Sequence, residues 1–278
     1  MRAARWATAV VAFVLLTACG GPAAGPSAER SLILATTTST QDSGLLDDLL
    51  PAFTADTGWQ VKTVAVGSGQ AIELGRRGEA DVLLVHSPDA EKKFVAEGTA
   101  GRRLLVMHND FVLVGPEADP AGIRGLGVSE AMKRIADSGS VFVARGDDSG
   151  TAAREKALWQ QAGVTPAGDW YQETGQGMGA TLRVAAEKSG YTLSDRATYL
   201  SQPDGLTLLN EGDPGLLNVY HVIEMTTKAG DRVQPEAGAA FADWITGPAA
   251  QQRIGEFGRA QFGQPLFVPD AGKPEPVP

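Results

Sequence analysis

Two hydrophobic periods take turns along this chain. Ser31-Leu-Ile-Leu-Ala35 is an apolar run of strand length. It passes through Thr36-Thr-Thr-Ser39-Thr40, Gln41 and Asp42 into a stretch with Leu45, Leu46, Leu49, Leu50 and Phe53 on one helical face, closed by Gly58. Val61 to Val66 alternates as a strand does, and Gly67-Ser68-Gly69-Gln70 leads it into a helix from Ala71 to about Arg77. Ala80 to Val85 predicts a further strand, ending at His86-Ser-Pro, with a helix around Ala90 to Ala96.

Leu104 to Met107 and Phe111 to Val114 read as extended chain, and Val128 to Ala136 as a helix. A strand from Val141 stops at Arg145, and after a polar loop a helix covers Ala152 to Gln161. Gly175-Gln-Gly177-Met178-Gly179 precedes a helix from about Ala180 to Lys188. Ser194-Asp195-Arg196 caps a short helix at Ala197 to Leu200. Leu216 to Met225 is strand, and helices near Ala239 to Thr246 and Ala249 to Phe257 follow. Strands alternating with helices predict an α/β protein with a largely parallel sheet.

In such sheets, ligands sit beyond the carboxyl ends of the strands. Three loops lie there: Thr36 to Ser39, Gly67 to Gln70, and Arg145-Gly-Asp-Asp-Ser149-Gly-Thr151. A Thr/Ser run alone is usually an N-cap, and Gly-Ser-Gly is usually a turn. The third loop is the informative one. It aims N–H groups, hydroxyls and a positive helix end at one small volume, and Arg145 adds a fixed charge of bidentate geometry. That predicts a site for a small oxyanion. The competing role for Arg145 is a salt bridge to Asp147, Asp148 or Glu155.

The formal net charge of -9, with no basic stripe, argues against nucleic-acid binding. It leaves anion binding open, because local donors set the potential of a buried site. Arg2 and Arg5, then the apolar Trp6 to Leu16, then Leu16-Thr-Ala-Cys19, read as a lipoprotein signal whose lipidated residue is Cys19. Cys19 is the single cysteine, so no intramolecular disulfide and no cysteine metal site is expected. Residues 20–30 read as a flexible tether, and 269–278 as a disordered tail.

Further motifs fall in order with these loops: Glu91-Lys-Lys-Phe-Val, Asn109-Asp-Phe-Val with Val114-Gly-Pro, Trp170-Tyr, Gly177-Met, Tyr191-Thr-Leu-Ser-Asp-Arg with Thr198-Tyr-Leu, and Tyr220-His-Val-Ile. Taken together, from about Leu32 to Phe257, the chain resembles the substrate-binding proteins of tungstate ABC transporters. Ala144 stands where that pattern has a serine, Ala153 where it has a histidine, and His108 where a tyrosine is common. The resemblance implies a type II periplasmic-binding-protein fold: two α/β lobes joined by two crossover segments, near Val112 to Pro116 and His221 to Met225. Lobe one would hold 31–112 and 222–268, and lobe two 113–221. It implies a tungstate ligand, held by Thr37, Thr38, Ser39, Ser68 and Gly69 from lobe one. Arg145, Ser149, Gly150, Thr151, Gly177 and Met178 would hold it from lobe two. It further implies an ABC permease as partner, a monomer anchored to the outer face of the membrane only through Cys19, no cofactor, no metal cation (tungsten being bound as tungstate) and no enzymatic activity.

Other oxyanions stay open at this point: molybdate, vanadate, or phosphate. A protonated phosphate needs an accepting carboxylate, whereas a deprotonated tungstate is repelled by one, so Asp147 and Asp148 are expected to face away from the ligand. An exported serine hydrolase built on Ser149 and His221 is the alternative from another class. Gly146-Asp-Asp-Ser149-Gly does not match a nucleophile elbow, and His221 lies in a strand-like run.

Overall fold

The computed structural model describes residues 30–276. The signal segment, Cys19 and nearly all of the tether lie outside the described residues, as do Val277 and Pro278. The chain begins with β1 (Ser31–Thr37), α1 (Thr38–Asp42), α2 (Leu45–Thr57), β2 (Gln60–Val66), α3 (Ser68–Arg76), β3 (Val82–Val85) and α4 (Pro88–Ala96). A long strand, β4 (Ala100–Gly115), leads to α5 (Val128–Ser138), β5 (Phe142–Ala144), α6 (Gly150–Gln161), β6 (Tyr171–Glu173), α7 (Met178–Glu187), β7 (Thr192–Asp195), α8 (Arg196–Ser201) and β8 (Thr207–Asn210). A single 3-10 turn (Pro214–Leu216) precedes β9 (Leu217–Met225), α9 (Pro235–Ile245), α10 (Pro248–Glu256), α11 (Arg259–Phe262) and β10 (Val268–Pro269).

The first sheet runs β10-β4-β9-β3-β1-β2. β3, Val-Leu-Leu-Val, is buried at every position, as a strand covered on both faces must be. The predicted face of α2 is the buried one: Leu45, Leu46, Leu49 and Phe53. Phe53 meets Phe241 of α9 edge-on, with ring centroids 5.2 Å apart, so the C-terminal helices cover this lobe. The second lobe gathers around Phe142, Trp159, Leu193 and Met132, with β7 and β8 on the far end of β4.

Three expectations are corrected. The sheet is mixed: β1 is parallel to β2 and β3, but β9 runs antiparallel to both β3 and β4. The reason is that β4 leaves the first lobe and β9 returns to it, so the two joining strands must run in opposite directions. The changeover also sits earlier than 112/113 and 221/222. β4 pairs with β9 as far as Asp110↔Leu217 and turns to β7 at Phe111↔Asp195, which puts Leu217 to His221 in the first sheet. Finally, the segment after 268 is docked through Glu275. β10 pairs with β4, Asp270 N–H donates to Val106 O at 3.0 Å, and Glu275 meets Arg103 at 3.0 Å.

Three helices begin earlier than their periodicity predicts, at Ser68, Gly150 and Met178. Their loops are therefore first-turn residues, whose N–H groups lack intrahelical acceptors.

Candidate functional site

Four helix N-termini meet where the lobes face each other. Thr37 caps α1 in extended geometry (φ -102°, ψ 151°), its Oγ1 accepting from Thr40 N–H at 3.2 Å. Ser149 caps α6, its Oγ accepting from Ala152 N–H at 3.0 Å. Gly67 and Gly177 occupy the cap positions of α3 and α7 and bring no side chain into the space. Each end offers free N–H donors and partial positive charge.

The two lobes are closed onto each other. Arg145 Nη2 donates to Thr38 Oγ1 at 3.3 Å, and Gly69 N–H donates to Asp148 O at 2.8 Å. A methyl group at Gly67 would sit 2.9 Å from Asp148 O, and one at Gly177 would sit 3.7 Å from Thr38 Oγ1. Thr37, Thr38, Ser39, Ser68, Arg145, Ser149, Gly150, Thr151, Gly177 and the backbone of Met178 thus border one region. One expected donor is otherwise engaged, and one residue takes part only through its backbone. Gly69 gives its N–H to Asp148, and the Met178 side chain is buried in the second lobe beside Val112, Val143 and Leu182.

Arg145 is 1% exposed. Its Nη2 meets Asp147 Oδ2 at 2.5 Å, while Asp147 Oδ1 accepts from Ser149 N–H at 3.2 Å. The expectation that both aspartates face away therefore fails for Asp147, because Gly146, at φ +64°, folds the loop back over the guanidinium. Asp148 is exposed and lies against Gly69. Glu155 makes no salt bridge with the Arg145 guanidinium among the described residues. It accepts from Trp159 Nε1 and Tyr171 OH, and burial pushes its carboxyl up to about 7.

Several buried polar atoms here have no hydrogen-bond partner among the described residues: Arg145 Nε, Ser68 Oγ, Thr151 Oγ1 and His86 Nδ1. Unpaired buried polar groups are rare and costly. A guanidinium, two hydroxyls and first-turn N–H groups form a donor set that fits a compact anion with oxygens on all sides.

His86 was not among the residues expected at the site. It directly follows β3, beyond the carboxyl end of that strand. Its Nε2 lies 3.2 Å from Thr37 Oγ1 and 3.3 Å from Ser39 Oγ. Gly150 packs on the ring so closely that a methyl group there would sit 2.5 Å from Nδ1. Burial, and then the charge of Arg145, lower its pKa to about 3, so the imidazole is neutral. Asp195 is fully buried and caps α8 as expected, accepting from Thr198 N–H at 2.9 Å. Burial raises its pKa to about 6.

Among the described residues, His221 is engaged with partners other than Ser149. His221 Nδ1 lies 2.9 Å from Glu91 Oε2 and 3.1 Å from Arg103 Nη2, inside the first lobe. No helix among the described residues is long and apolar enough to cross a membrane.

The profile of the PBP superfamily domain matches residues 22–249. The chain belongs to the PBP superfamily. Within it, the chain is 48% identical to the tungstate-binding protein TupA of Peptoclostridium acidaminophilum, over 96% of this chain and 97% of that protein. It is 45% identical to the solved tungstate-binding protein TupA of Desulfovibrio alaskensis G20, with a TM-score of 0.72 over 87% of this chain and 99% of that one. It is 44% identical to the solved tungstate ABC transporter protein of Geobacter sulfurreducens, with a TM-score of 0.77 over 83% and 100%. These PBP relatives carry the same two-lobed α/β architecture, and their names describe solute binding rather than catalysis.

Proposed function

We propose that this protein captures tungstate in the cleft between its lobes and delivers it to an ABC permease on the outer side of the cell membrane. The observation that carries the reading is the meeting of four helix N-termini around a buried arginine, in a chain 48% identical to a tungstate-binding protein.

Arg145 supplies the formal positive charge toward the dianion. Thr38, Ser39, Gly150, Thr151 and Met178 offer N–H groups, and Thr37, Thr38, Ser39, Ser68 and Thr151 offer hydroxyls. Charge-assisted hydrogen bonds contribute about 1.5–3 kcal/mol each, so about five of them cover the roughly 8 kcal/mol of micromolar binding. Because the donors are divided between lobes, ligand joins the lobes, and β4 and β9 serve as the hinge. A protonated ligand needs an acceptor. Asp147 beside Arg145 keeps a free lone pair on each oxygen, so the preference for tungstate over hydrogen phosphate rests on the similarity to tungstate-binding proteins.

The N-terminal pattern supports lipidation of Cys19 and hence an anchor on the outer membrane face, with the lobes free to meet the permease. The test of the reading is competitive. The purified protein is equilibrated with equal concentrations of tungstate, molybdate, vanadate and phosphate, desalted, and its bound elements are measured. Near-stoichiometric tungsten is expected. Phosphorus or vanadium in its place would overturn the reading.

A further inference from the structure

The lobes touch around the site, also through Gly69–Asp148 and Gly150–His86, and stand apart farther out between α4 and α6. At the site, Arg145 meets Thr38, and Thr198 Oγ1 donates to Ser39 O at 3.5 Å. Between α4 and α6, a cleft of about 1100 Å³ opens, lined by His86, Ser149 and Gly150 of the site and also by Arg154. Arg154 lies one helical turn beyond Gly150 on α6. Side chains four residues apart share a helix face and lean toward the N-terminus, so Arg154 leans back toward the position where Gly150 has no side chain.

Arg154 has no partner for its charge. Its Nε and Nη2 are shielded from solvent and make no hydrogen bond among the described residues. Asp213 and Asp89 influence it only through space. Buried guanidinium nitrogens left unpaired are costly, and an anion arriving through the cleft would satisfy them. The protein as a whole carries -9, so its overall field opposes the approach of a dianion.

We propose that Arg154 forms an outer anion site in this cleft, which receives a tetrahedral oxyanion dianion and passes it inward to Arg145. The proposal rests on the oxyanion reading of the inner site. Arg154 sets the rate of capture, and Arg145 sets the strength of holding. Asp89, Asp148 and Glu173 also line the cleft, so Arg154 is a local cation among carboxylates; a charge at the rim changes association and its salt dependence more than dissociation.

The experiment is stopped-flow mixing with sodium tungstate, followed by tryptophan fluorescence, for which Trp159 in the cleft wall is a reporter. In Arg154→Gln the association rate constant is expected to fall about ten-fold at low salt, the lower end of what focused fields supply. Its salt dependence flattens and dissociation barely moves. Arg154→Lys restores most of the rate. Lys62→Gln, on exposed β2, removes the same charge elsewhere and leaves the rate unchanged. An unchanged association rate in Arg154→Gln overturns the outer site, as does an equal loss in Lys62→Gln or an effect confined to dissociation. If Arg154→Gln does not fold, failure of folded Arg154→Lys to retain the wild-type salt dependence overturns it. Wild-type protein that binds no tungstate at all overturns the inner-site reading, and the outer site with it.

Discussion

Gly150→Ala separates closure of the lobes from the donors that hold the anion. The substitution keeps the N–H of the first residue of α6 and changes no charge. Gly150 has no left-handed backbone to lose. In the closed arrangement, however, the new methyl group would lie 2.5 Å from His86 Nδ1, 2.7 Å from Cε1 and 2.8 Å from His86 O. The ring has little room to yield. Nε2 is tied to Thr37 and Ser39, and the far side faces Tyr220 at a centroid distance of 4.7 Å. Carbon contacts settle at roughly 3.5–4.0 Å, so the lobes must part by about an ångström. Overpacking of this kind costs about 1–3 kcal/mol. At about 1.4 kcal/mol per ten-fold, tungstate affinity falls by about five- to 150-fold. Isothermal titration calorimetry reads the loss directly, and the ligand-induced rise in Tm shrinks in step. Gly177→Ala is the control, because its methyl group meets Thr38 Oγ1 at an ordinary 3.7 Å. A Gly150→Ala protein that binds tungstate as the wild type does would refute the argument that these lobe contacts form in the bound state.

Arg145→Ala removes the formal positive charge from the site and should abolish measurable tungstate binding while the circular dichroism spectrum stays native; wild-type-like titration would contradict its assigned role. His86 is held neutral, with its pKa lowered from 6.5 to about 3. The unfolded chain therefore takes up a proton that the folded one does not, so this contribution to stability is present above pH 6.5 and is lost as pH falls toward 3. Melting curves of His86→Gln should show a shallower loss of Tm between pH 7 and pH 5 than the wild type, and parallel slopes would count against the burial argument. Glu91 is fully buried, with Arg103 Nε and His221 Nδ1 each 2.9 Å from Oε2 and Ser87 N–H 2.7 Å from Oε1. Glu91→Gln keeps an acceptor for Ser87 but removes the buried negative charge beside Arg103, and urea unfolding should show a loss of about 3 kcal/mol. An unchanged urea midpoint would show that Glu275 alone satisfies Arg103.

Much of the first lobe was legible because its signals are local. The buried face of α2 lies within a few residues and appears where expected, and the polar stretches after β1 and β2 appear in place, as helix first turns rather than loops. The donor-rich strand-to-helix turn at Arg145 was legible for the same reason. Strand direction was not, because periodicity marks a strand without saying which way it runs, and the antiparallel return of β9 follows from a topology that no single window contains. Asp147 escaped because its orientation depends on the positive φ of Gly146, set in turn by packing against Glu173, whose Cβ lies 2.6 Å from where a methyl group on Gly146 would stand. His86 escaped because a lone histidine after a strand carries no pattern, and its place in the site appears only once Gly150 arrives from the other lobe. The C-terminal segment reads as disordered by composition, yet Glu275 reaches Arg103 across 172 residues of sequence, and this pairing holds its carboxyl down at about 2.

The central claim is that a single tetrahedral dianion is clamped between the lobes by Arg145 and the surrounding helix N-termini. Calorimetric titration of the protein with sodium tungstate tests it most directly. The account predicts a saturable isotherm with one tungstate per chain and affinity of micromolar or tighter, absent in Arg145→Ala. No saturable heat in the wild type, or an isotherm indifferent to Arg145, would contradict it.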